Sequence, residues 1–178
     1  KRDLHPILVF LIVSGGSPHY DYLEEWQRRT WAKRDTQDYR ILWVRGAGAK
    51  SELAYDADRR LLLVPLEETF DNLLPKTQYA LRWVADHWGP IFLIRTNNSS
   101  HWVPDLALAR LRSAPKTRLY AGAAVKQHRS SKDGRRTVGF ISGAGIWMSA
   151  DVADLVAGAK PSNYRGINDD AAIGTIVA

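Results

Sequence analysis

Ile91-Phe92-Leu93-Ile94-Arg95-Thr96-Asn97-Asn98-Ser99 is the stretch on which the reading of this chain turns. Its first four residues are apolar without alternation, as a central strand buried on both faces requires. Gly89 and Pro90, just before it, stop a helix. That helix opens near Pro75, whose missing donor would be unpaired in a first turn anyway. Tyr79, Ala80, Trp83 and Val84 repeat along it at helical spacing and should face a core. On the other side, Pro104 opens a further helix with Leu106, Leu108 and Leu111 on its apolar side.

The rest of the chain continues this alternation. Ile7 to Val13 reads as a strand, Tyr22 to Lys33 as a polar helix anchored by Tyr22, Trp26 and Trp31, and Tyr39 to Arg45 as a second strand closed by Gly46 and Gly48. Leu61 to Pro65 is a short strand before an acidic turn at Glu67 and Glu68, and Leu119 to Val125 is another. Lys132-Asp133-Gly134-Arg135 is the strongest turn signal, predicting a hairpin or a mobile loop between Val125 and Val138. Gly143 to Met148 forms a last strand, with Ser149 capping a helix through Val156. Asn168, Asp169 and Asp170 precede a closing apolar stretch, Ala171 to Val177. The pattern predicts an α/β fold: one mostly parallel central sheet flanked by helices.

At 178 residues, 45% of them hydrophobic, the chain suffices for one domain with a real core and is too short for two. A net charge of +6 and a pI near 9.7 suit an anionic partner, either a phosphate-bearing small ligand or a nucleic acid. Arg59, Arg60, Arg110, Arg112, Lys116 and Arg118 are nevertheless dispersed rather than gathered in one block. The absence of cysteine excludes a disulfide scaffold and any thiolate metal site, which makes the cytoplasm the expected compartment. Leu8 to Val13 is too short for a membrane span and runs into a Ser14-Gly15-Gly16 turn, so no transmembrane segment is expected.

Individual motifs leave alternatives open. Ser14, Gly15 and Gly16 either expose backbone amides to a phosphate or form a plain loop, since neither phosphate-binding fingerprint is present. Arg28 and Arg29, beside Trp31, either clamp a phosphate or solvate a helix face. Lys76 and Arg95 are solvated charges or electrostatic partners of a diphosphate. Trp102 and Trp147 are core anchors or stacking platforms for a sugar or base. His101 reads as a loop histidine, with a transition-metal role beside Asn97 as the weaker alternative.

In order, the pieces are more specific. Arg28 to Trp31, Phe70-Asp71-Asn72-Leu73-Leu74-Pro75-Lys76-Thr77 and Leu81-Arg82-Trp83 resemble glycosyltransferase family 31, the β1,3-galactosyltransferase and Fringe group. Phe92 to Val103 is similar to that family's Phe-x-x-Lys-Thr-Asp-Asp-Asp-x-Phe-Val stretch. Ser142 to Ser149 looks like its Gly-Gly-x-Gly-x-x-x-Ser segment, and Asp169 to Gly174 looks like its Glu-Asp-Val-x-x-Gly motif. The resemblance runs from the first strand to Gly174, carried by order and spacing.

The resemblance implies a GT-A fold, a UDP-sugar donor, a glycan acceptor, inversion at the anomeric carbon and a β1,3 linkage. Asp170 matches the catalytic base, which must take the acceptor hydroxyl's proton as its oxygen attacks. Asp169 beside it either tunes that base and meets the acceptor or caps the helix beginning at Ala171. The expected donor-binding set is Ser14, Arg28, Lys76, Arg95, Asn97 and Ser99; the expected acceptor-binding set is Trp147 and Asp169. The family's metal ligands are three aspartates that would hold Mn or Mg against the diphosphate. Here Asn97, Asn98 and Ser99 stand in their place, so weak or no metal dependence is expected. Family members usually continue beyond the final motif, so a C-terminal truncation is expected too. Two other readings remain: a catalytically silent relative that binds nucleotide or glycan, and a basic nucleic-acid-binding domain whose affinity would fall steeply with salt.

Overall fold

A computed structural model describes residues 5–131 and 134–178. Lys132 and Asp133, half of the predicted turn, lie outside the described residues. Strand β1 (Leu8–Val13) is buried along its whole length. Leu8, Phe10 and Ile12 face one core cluster, and Val9, Leu11 and Val13 the other, as a strand between two helical layers must.

Helix α1 (Pro18–Arg29) starts four residues before the predicted Tyr22. Pro18 occupies the first turn, where it is preorganised, and Thr30 ends the helix by donating its hydroxyl to Trp26 O at 2.8 Å. Strand β2 (Tyr39–Gly46) follows as predicted. Strand β3 (Ala54–Asp56) was not foreseen; three residues long and half exposed, it carries no periodic signal, and it lies antiparallel to β4 (Leu61–Val64). A 3-10 turn (Phe70–Asn72) leads into α2 (Leu73–His87). Pro75 is thus the third residue of that helix rather than the first, still within the turn whose N–H groups have no intrahelical partner.

Strand β5 (Phe92–Asn97) runs three residues past the predicted Ile94, and helix α3 (Pro104–Arg112) opens at Pro104 as predicted but buries Ala107, Leu108 and Leu111 and leaves the predicted Leu106 exposed; the sheet is completed by β6 (Tyr120–Ser131) and β7 (Gly134–Ser149). Helix α4 (Ala150–Gly158) and helix α5 (Asp169–Val177) close the fold. The sheet order is β3-β4-β2-β1-β5-β7-β6. Strands β4, β2, β1 and β5 are parallel, whereas β3, β7 and β6 each pair antiparallel. The sheet is therefore mixed, not mostly parallel. Parallel neighbours need a long crossover, but β3–β4 and β6–β7 are consecutive strands joined by short links, which favour antiparallel pairing.

Helices α2, α4 and α5 cover one face of the sheet, and α3 with Trp31 and Ala32 covers the other. One irregularity positions everything that follows. Gly122 pairs with Ile146 and Ala124 with Ile141, so Ser142 to Gly145 bulge out of β7 opposite the single residue Ala123. Their peptide groups are released from the ladder and turn toward the end of β5. Among the described residues, no helix is long and apolar enough to cross a membrane.

Candidate functional site

A cleft of about 420 Å³ opens at the carboxyl ends of β1 and β5. The chain leaves β1 toward β2 on one side and later returns to build β5 on the other, and open α/β sheets bind ligands at such switch points. The cleft is lined by Ser14, Lys76, Arg95, Asn97, Ser99, Asp169 and Asp170, seven of the predicted site residues, together with Asn98.

Two buried cations organise it. Lys76, on α2, is 3% exposed and donates to Ser14 O at 2.6 Å and to Glu68 Oε2 at 2.7 Å. Glu68 also accepts the backbone N–H of Gly46, so one carboxylate ties the loop after β4 across the ends of β1 and β2. Burial pushes the Lys76 ammonium below the ordinary lysine value, while Glu68 pulls it back up. Arg95, on β5, is 2% exposed and donates to Asp169 Oδ2 at 2.6 Å, to Asn97 Oδ1 at 2.6 Å and to Gly143 O at 2.7 Å. Thr77 Oγ1 gives Asp169 Oδ2 a further bond at 3.1 Å, while Arg95 Nε is buried without a partner. Arg95 packs closely on the bulge: a Cβ at Gly143 would stand 2.6 Å from Arg95 Nη1 and push the guanidinium from its place.

Asp170 is half-buried at the start of α5. Its Oδ2 accepts Gly143 N–H at 3.0 Å and its Oδ1 accepts Ala171 N–H at 2.8 Å. Asn98 is buried, with Nδ2 3.4 Å from Ser14 Oγ, and Ser99 is exposed at the rim. Lys76 and Arg95 thus face three carboxylates, Glu68, Asp169 and Asp170, and both cations are already engaged. A divalent cation does not fit these residues. Residues 97 to 99 offer neutral oxygens, Asp169 is held by Arg95, and the guanidinium beside Asn97 repels a second cation. Among the described residues, no group of three His, Asp or Glu side chains gathers where it could hold a metal ion by itself.

Several singled-out residues lie elsewhere. Arg28 stacks over Trp43 at 3.7 Å, pairs with Glu24 at 2.7 Å and lines a separate charged hollow with Arg45 and Arg59. Trp147 stands in β7 opposite Ile94, edge-on to Trp102 at 5.7 Å, and lines an apolar hollow with Leu111 and Leu119. His101 is exposed against Trp26, with ring centroids 5.4 Å apart. Conversely, the cleft is also lined by His19, Tyr20, Leu23 and Leu73, which sequence reasoning did not single out. Glu68 and Gly143 were visible only as an acidic turn and part of a strand. A neighbouring hollow of about 710 Å³, between Gly46 to Gly48 and Phe70, shares Gly15, Tyr20, Glu68 and Leu73 with the cleft.

No protein-family model matches the chain, and no curated protein matches it in sequence.

Proposed function

We propose that the cleft binds a UDP-sugar and that the protein is an inverting glycosyltransferase of the family 31 kind, built on a GT-A-like fold and acting without a tightly held metal. The observation that carries this reading is the convergence of Ser14, Lys76, Arg95, Asn97, Ser99, Asp169 and Asp170, from four segments far apart in sequence, on one cleft at the switch point. Among them the family resemblance marks Asp170 as the base and residues 97 to 99 as the metal-triplet positions, while Ser14, Lys76 and Arg95 are expected there from their own chemistry.

In the proposed reaction, an acceptor hydroxyl oxygen attacks the anomeric carbon as the bond to the UDP oxygen breaks on the opposite face. Asp170 takes the hydroxyl proton. Lys76, which has an N–H beyond its bonds to Ser14 and Glu68, and the amides of Asn97 and Asn98 meet the charge growing on the leaving diphosphate. Arg95 holds Asp169 and the Gly143 bulge, and through them the position of Asp170.

A calorimetric UDP titration, repeated with a panel of UDP-sugars, tests the donor. Saturable binding at micromolar to low-millimolar UDP is expected, and neither heat nor a thermal shift at saturation removes the assignment. One observation favours the catalytically silent relative as the second reading: both Asp170 oxygens already accept backbone N–H groups. UDP binding without transfer or donor hydrolysis across a broad sugar panel would select it.

A further inference from the structure

Helix α1 carries more exposed aromatic surface than packing on a sheet requires. Tyr22 keeps 66% of its surface in solvent and Trp26 keeps 38%. The two stand at i and i+4, neighbours on one flank of the helix. His19 and Leu23 on the same flank line the cleft, so the ring-bearing surface continues from the cleft mouth along about 10 Å of helix axis. His101 closes the outer end against Trp26. Its loop leaves β5 through Asn98 and Ser99, both in the cleft wall, and is pinned to α1 by Gln27 Nε2, which donates to Ser100 O at 3.1 Å.

Charge narrows the occupant. Asp21 pairs with Arg45, Glu24 with Arg28 and Arg45, and Glu25 with Arg29. The charged side chains of α1 are thus paired among themselves and with Arg45 of β2, and Arg28 and Arg29 are each engaged by a glutamate rather than offered to the phosphates through which nucleic acids chiefly bind. What the flank offers is apolar ring faces bordered by a phenol, an indole N–H and imidazole nitrogens. That combination matches the C–H face and hydroxyl rim of an uncharged sugar ring.

We propose that the Tyr22 and Trp26 flank of α1 is a glycan track, on which an uncharged oligosaccharide stacks with one end directed into the cleft. The track rests on the glycosyltransferase reading for its role as acceptor site. Its binding chemistry stands separately.

The test uses the whole chain and neutral β-linked tetrasaccharides of glucose, galactose and N-acetylglucosamine. Saturation-transfer NMR and tryptophan fluorescence read oligosaccharide binding, and calorimetry reads UDP binding in parallel. At least one tetrasaccharide binds wild type; Trp26→Ala and Tyr22→Ala weaken it tenfold or more, and Trp26→Phe retains part of it. UDP affinity stays unchanged in all three variants. Where transfer is measurable, acceptor KM rises at least tenfold with kcat nearly constant. The proposal is overturned if no tetrasaccharide binds, or if the alanine variants bind as wild type does. It is also overturned if sedimentation shows self-association that the same variants abolish, which would make the flank an interface between copies. Oligosaccharide binding that depends on Trp26, with no UDP binding, would keep the track and discard the donor assignment; UDP binding with no oligosaccharide binding would do the reverse.

Discussion

Asp169 and Asp170 are adjacent in sequence but hold different positions in the site. Asp169 is 4% exposed and bonded to Arg95 and Thr77, so Asp169→Asn leaves a buried guanidinium without its counter-charge. Breaking such a pair costs about 3 to 5 kcal/mol, toward the lower end here because asparagine can still accept a hydrogen bond. Urea denaturation should show that loss, and a midpoint equal to wild type would mean the pair contributes nothing. Asp170 is half-buried in the cleft and bonded only to backbone amides. Asp170→Asn should therefore leave UDP affinity nearly unchanged while lowering transfer on the order of a hundredfold, the scale of general-base catalysis. A variant as active as wild type would remove Asp170 from the mechanism. The sequence singled out both aspartates. It gave no sign that Arg95 would claim one of them, because the partners lie on β5 and α5 and meet only through the fold.

At the scale of elements, the bulge in β7 does what no strand prediction contained. Regular pairing would have spent the peptide groups of Ser142 to Gly145 on β6. Their release gives Gly143 O to Arg95, Gly143 N–H to Asp170, and Ala144 O to the hydroxyls of Thr96 and Ser100. Gly122 sits opposite the irregularity with φ +148°, and a Cβ there would stand 2.3 Å from Gly145 O. Gly122→Ala should thus destabilise the protein by roughly 1 to 3 kcal/mol, since backbone rather than a flexible side chain must move. Thermal denaturation measures this, and an unchanged midpoint would show that β6 absorbs the methyl freely. The predicted hairpin signal is matched by the pairing of Ser131 with Gly134, yet the bulge above it had no counterpart in the residue pattern. Arg28 shows the same limit: its place beside Trp31 in sequence suggested a phosphate clamp, while the helix turns it onto Trp43 and Glu24.

For the whole molecule, the charge balance of the cleft sets the expected response to metal. Asn97, Asn98 and Ser99 contribute no anion, and Asp169 is neutralised by Arg95. UDP affinity should then change less than about tenfold, roughly 1.4 kcal/mol, between Mn and EDTA. A larger dependence would show that carboxylates of the cleft such as Asp169 or Asp170 complete a metal site. The sequence by itself determined the α/β class, the two-sided burial of β1 and β5, and the strip of polar residues at the end of β5, because periodicity and turn chemistry are written in near neighbours. It also marked about half of the residues that meet in the cleft, several of them through the order of their motifs. Only the tertiary structure decided that the sheet is mixed, that Lys76 and Arg95 are engaged by Ser14, Glu68 and Asp169, and that Arg28 and Trp147 face other hollows. Those outcomes depend on strand register, on the side from which each helix crosses, and on close approaches between segments distant in the chain, none of which local pattern encodes.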